Sequence, residues 1–134
     1  MRIFRLASVV ALCALAPWLA PGCKDSDSYR STVEFHAESV RIGIGFVKRE
    51  IAREPHDWYE MHAATDGLAS ALSALPDRVD KQATTKIPER KAAAKKALDL
   101  FTQMQPKLNS LKFDSNEMNK GLDELSGLIG VVEK

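Results

Sequence analysis

Apolar side chains recur at alternating spacings of three and four along four successive stretches of this chain, and that rhythm decides its fold class. A period near 3.6 returns each apolar residue to one side of an α-helix, whereas a half-buried strand needs a period of two. In the first stretch Val33, Ala37, Val40, Ile44, Val47 and Ile51 form one continuous stripe, opened by a capping box at Ser31-x-x-Glu34. At about 100° per residue, Phe35, Ile42 and Phe46 fall nearly opposite that stripe. Ser39 and Gly43 lie in the arc between, and Glu34, Glu38, Arg41, Lys48 and Arg49 hold the other side. A helix with so wide an apolar face needs two neighbours, or one neighbour and a partner chain, so a homodimer through this second edge is one expectation. Gly43 costs about 1 kcal/mol of helix propensity relative to alanine, which predicts a close helix contact there in compensation.

The other three stretches follow the same logic. Glu54-Pro55-His56 ends the first helix and Asp57-x-x-Glu60 caps the second, whose stripe is Trp58, Met61, Thr65, Leu68, Leu72 and Leu75, with Val79 in phase beyond Pro76. Phase kept across a proline predicts a kink rather than a break. Gln82 to Lys86 reads as a loop, followed by Ile87-Pro88 with proline at the first helical position. Helix three carries Ala94, Leu98, Phe101, Met104, Leu108 and Leu111. Asp114-x-x-Glu117 caps the fourth, with Phe113 and Met118 at the hydrophobic-staple positions and Leu122, Leu125, Ile129 and Val132 as its stripe.

Four amphipathic helices joined by short polar links predict an all-α, antiparallel up-down-up-down four-helix bundle over residues 31–134. Residues 78–96 hold seven basic and two acidic groups, and residues 114–133 hold five acidic and one basic. Neighbouring helices three and four of opposite sign would attract, though each surface pair is worth only about 0–1 kcal/mol.

The segment before the bundle has a different purpose. Arg2 and Arg5 precede an apolar core from Leu6 to Leu15, and Pro17 closes it before a run of small residues, the pattern of a secretory signal. Its core is shorter than the roughly 20 apolar residues that span a bilayer. Leu19-Ala20-Pro21-Gly22-Cys23 resembles the lipobox of bacterial lipoproteins, with Ala20 where that family prefers a large aliphatic residue and Leu19 one place earlier. The resemblance covers residues 1–23 and implies a cleaved signal peptide over 1–22 and a lipidated Cys23 as the first mature residue. Ordinary signal peptidase cleavage after Ala20-x-Gly22 cuts the same bond. Once Cys13 leaves with the signal, Cys23 has no intramolecular partner, which favours acylation over a free thiol in an oxidising compartment. Lys24 stands where an Asp would favour inner-membrane retention in Gram-negative lipoproteins. The resemblance therefore points to the cell envelope, at the outer membrane facing the periplasm, with residues 23–30 as lipidated cysteine and solvated tether.

Removing 22 of the 134 residues leaves 17 basic against 18 acidic groups, which gives no basis for binding nucleic acid. Chemistry is equally sparse, for no nucleophile elbow, phosphate loop or Glu-x-x-His pair occurs in the sequence. The run from His56 to His62 around Trp58 is the one cluster with metal- or haem-binding potential, and His36 or His62 paired with Met61 are the candidate haem or metal ligands. His62 is also placed for a rim contact with Asp66. The mature domain is similar to exported bundles of the cytochrome b562 and cytochrome c′ families in length and export. It lacks the Cys-x-x-Cys-His of the latter, and its helix one has no Met and its helix four no His for the former. A binding edge at Trp58 and Tyr59, and a basic face at Arg90, Lys91 and Lys95 for anionic lipid or an acidic partner, are the remaining candidates. The sequence thus predicts a membrane-anchored, non-enzymatic bundle that binds an envelope protein, with haem- or metal-based electron transfer or sensing as the alternative.

Overall fold

Helix formation follows the capping signals with one displacement at the start. A computed structural model describes residues 32–134, which form α1 (Val33–Ala52), α2 (Trp58–Gln82), α3 (Ile87–Asn109) and α4 (Ser115–Val132). Thr32 rather than Ser31 caps α1, its hydroxyl accepting from Phe35 N at 3.3 Å; Ser31 lies outside the described residues. Of two adjacent hydroxyls, the one next to the first helical residue reaches the orphaned donor. Asp57 and Asp114 cap as expected, accepting from the backbone N–H of Glu60 at 3.1 Å and of Glu117 at 2.8 Å. Both α2 and α3 run unbroken through Pro76 and Pro106.

The bundle closes on itself, because α1 packs on α2, α2 on α3, α3 on α4, and α4 back on α1. Cross-helix partners give the direction of each pair. Arg41 meets Glu133 and Lys48 meets Asp123, so α4 numbering falls as α1 numbering rises. Lys91 with Asp80 and Gln105 with Asp66 do the same for α2 and α3, and Lys107 with Glu117 and Lys96 with Glu124 for α3 and α4. The molecule is an antiparallel, up-down-up-down four-helix bundle. The expected attraction between basic α3 and acidic α4 is realised in those last two pairs.

Along α3 the core residues are Ala93, Ala94 and Ala97 near its start and Phe101, Met104 and Leu108 further on, and Leu75 of α2 with Leu125 and Ile129 of α4 fill the core beside the alanines. Gly43 sits where α1 presses on α2, and a Cβ there would stand 3.3 Å from Leu68 Cα, the close contact its low propensity predicted. Of the expected α3 stripe, Ala94, Phe101, Met104 and Leu108 are buried, and the difference lies at Leu98 and Leu111. Arg90, Ala93, Ala94 and Ala97 face inward while Leu98 is half-buried. Leu111 is not helical; it turns the chain at φ 55° between α3 and α4 and rests half-buried against the core. Lys86, at φ 51°, makes the corresponding left-handed turn before α3, so Ile87 is the first helical residue and Pro88 the second.

Candidate functional site

The core is complete without the second apolar edge of α1. Its inner stripe is at most 5% exposed from Val33 to Ile51, yet Phe35, Ile42 and Phe46 are 42%, 52% and 46% exposed on the outer face. Two neighbours cover α1, as the sequence allowed. They bear on its sides rather than on this face: Gly43 abuts α2, and Arg41 and Lys48 pair with α4. The Arg49 guanidinium lies 5.1 Å above the Phe46 ring and borders the stripe. Glu38 is exposed on the same helix, one turn before Ile42.

A buried carboxylate that the stripe pattern did not reveal stands at the end of this helix. Glu50 is 3% exposed, accepts from Arg49 Nε at 3.0 Å and meets Arg53 Nη1 at 3.4 Å. The cluster lines an open cleft of about 540 Å³ between the end of α1 and the start of α2, with Glu60 opposite. Two guanidiniums on one carboxylate satisfy the cost of burying it. The Arg-Glu-x-x-Arg run was the available sequence signal. On the far side of α1, Arg41 grips Glu133 through two hydrogen bonds, with Nε to Oε1 at 2.8 Å, and that hydrogen bonding holds the Glu133 carboxyl below its ordinary range.

The basic face expected on α3 is dispersed. Arg90 is buried, donating from Nε to the Val132 carbonyl at 2.7 Å, with Nη2 3.7 Å from Glu34 Oε1. The last carbonyls of α4 have no helical donor, and a cation there also suits the helix dipole, which is why this arginine turns inward. Lys91 is half-buried on Asp80, and Lys95 alone of the three is exposed without an ion partner among the described residues.

The candidate ligands do not converge. Burial, and secondarily the Arg78 charge, lower the pKa of His36, whose Nε2 is buried without a hydrogen-bond partner. Arg78 lies sixteen residues along α2 from His62, so the two histidines are about 24 Å apart at opposite ends of the bundle. Met61 is wholly buried in the core. His62 stacks on Trp58 at 4.2 Å between ring centroids, while Asp66 takes a hydrogen bond from Gln105 instead of the expected histidine. Among the described residues no three His, Cys, Asp or Glu side chains gather as a metal site. Trp58 and Tyr59 are exposed beside this end, as a binding edge requires. Cys23 lies outside the described residues.

His36 gives the bundle a pH dependence of known sign. Its folded pKa is below 6.5, so the unfolded chain binds the proton more readily, and stability falls as pH drops from about 6.5 to the folded value. Urea unfolding between about pH 7 and pH 5 should show this loss, and His36→Gln should flatten that part of the profile. A profile unchanged by the substitution would assign the loss to other groups.

No protein-family model matches the chain, and no curated protein or solved structure is similar enough to match it. No helix among the described residues is long and apolar enough to cross a membrane.

Proposed function

We propose that this chain is an exported, lipid-anchored and non-enzymatic bundle of the cell envelope that works by binding a protein partner through the outer face of α1. The observation carrying the binding half is the exposure of Phe35, Ile42 and Phe46 beside a core that closes without them. Contiguous apolar exposure of that kind marks interaction sites on soluble folds. The anchoring half is supported by the lipobox-like run ending at Cys23 and by the want of any other cysteine in the chain that follows it. Each buried methylene contributes about 0.8 kcal/mol, so two or more acyl chains hold a protein at a bilayer where one is marginal. With Lys24 after the cysteine, the outer membrane is the proposed home.

The test of anchoring is the Cys23→Ser variant of the full chain. Wild type should partition with membranes and show an intact mass above that of the unmodified chain starting at Cys23, and the variant should move to the soluble fraction. An unmodified mature mass, or a variant still held at the membrane, overturns the acyl anchor.

A further inference from the structure

We infer that the occupant of the outer face of α1 is a second copy of this chain, paired antiparallel about a two-fold axis near residue 44. The inference rests on reading this face as the docking surface and names its partner. Phe35, Ile42 and Phe46 project along one side of α1, and charge along the same side is ordered: Glu34 and Glu38 lie in its first half and Arg49 in its second. An antiparallel copy is the arrangement in which such a helix complements itself. Ile42 then faces Phe46 of the other copy and Glu38 approaches Arg49, so every contact occurs twice, as an isologous interface requires. A parallel copy would set acid against acid and base against base. An anionic bilayer would meet the two carboxylates as well as the arginine, so the mixed rim suits a protein partner of the same dipolar pattern better. Gly45 borders the stripe with nothing within 4 Å of a Cβ placed there, which leaves room for a second backbone to approach.

From Phe35 to Phe46 the stripe is about 16 Å long, at the small end of protein interfaces, and the expected Kd is about 10–100 μM. Confinement to a membrane through the proposed anchor raises the effective concentration enough for a contact of that strength to form.

A chain shortened to start at Lys24 contains the whole bundle with its own core and no cysteine, so it reports on dimerisation independently of acylation. Sedimentation equilibrium up to about 100 μM should show a monomer–dimer equilibrium that Ile42→Ser weakens at least tenfold and Glu38→Arg weakens about tenfold. Both positions are exposed, so thermal unfolding of the two variants should match wild type, which separates lost association from lost folding. Orientation is read by oxidation of single-cysteine variants. Gly45→Cys, beside the axis, should give a disulfide-linked dimer, whereas Ala52→Cys places the two thiols about 24 Å apart and should stay unlinked. A monomer throughout the range overturns the inference, as does a dimer that links through position 52 or is indifferent to Ile42→Ser. Binding of the monomer to phosphatidylethanolamine–phosphatidylglycerol vesicles, abolished by Ile42→Ser, would assign the face to lipid and overturn it equally.

Discussion

Replacing Gly43 with leucine is expected to destabilise the bundle by about 3 kcal/mol, a fall in Tm of roughly 15 °C for a domain of this size. At this position α1 approaches backbone as well as side chain: a Cβ would lie 3.3 Å from both Leu68 Cα and Cβ and 3.1 Å from its Cδ1. Backbone cannot swing aside, so each added carbon must push two helices apart and open the contacts above and below. Even alanine, which in a free helix gains about 1 kcal/mol over glycine, should bring no net stability here. Gly121 on α4 is the control. Its Cβ would meet the Met104 sulfur at 2.8 Å and methyl at 2.9 Å, the far end of a flexible side chain that can rotate away. Gly121→Ala should therefore remain within about 1 kcal/mol of wild type. Urea or thermal unfolding of the variants decides it, and a Gly43→Leu protein as stable as the native one would mean that α1 and α2 are not in contact there.

That close approach was legible in the sequence, since a glycine inside a helical stripe otherwise has only a cost. The same holds for the Asp57 and Asp114 caps and for the antiparallel order of α3 and α4, each carried by local spacing or local charge. Positions fixed by neighbouring helices leave no such local signal. Period analysis ranks Leu98 above Ala93 and Ala97 because it weighs side-chain size, whereas at that level Leu75 of α2 and Leu125 and Ile129 of α4 already fill the core beside the alanines. Arg90 reads as a surface cation among Lys91 and Lys95 until the carbonyls ending α4 are brought over it. His62 was paired with Asp66 by spacing on its own helix, but Trp58 offers it a ring and Gln105 takes the carboxylate. Helical periodicity says nothing about Glu50, because two arginines holding a buried acid leave no mark in the spacing of apolar residues.

The candidate site divides along the same line. Phe35, Ile42 and Phe46 were recognisable as a second apolar edge, and the sequence left open whether a helix of the same chain or another molecule covers it. The pattern of one helix specifies its own faces and not the number of its neighbours. Among the described residues, α2 and α4 each approach α1 from a flank, so no helix of the bundle covers the arc facing away from the core.

Substitution at the centre of α3 measures how much of the stability resides inside the ring of four helices. Phe101 is 1% exposed and heads the fully buried side chains by volume. Phe101→Ala removes an aromatic ring that its alanine neighbours one turn earlier cannot replace, and partial collapse leaves a cavity. The expected loss is about 3–5 kcal/mol, a large share of the roughly 5–15 kcal/mol that holds a domain folded. Phe101→Leu keeps most of the volume and should cost about 1.5 kcal/mol or less. Ile42→Ser, with its side chain already in water, should stay within about 0.5 kcal/mol of wild type at concentrations where the chain is monomeric. Equilibrium unfolding under those conditions places the three variants on one scale. If Ile42→Ser cost as much as Phe101→Ala, the outer edge of α1 would be core; if Phe101→Ala were silent, the ring would not be packed around it. The expected order, with the aromatic inside α3 far more costly than the aliphatic outside α1, is the one required if the outer face of α1 contributes little to folding.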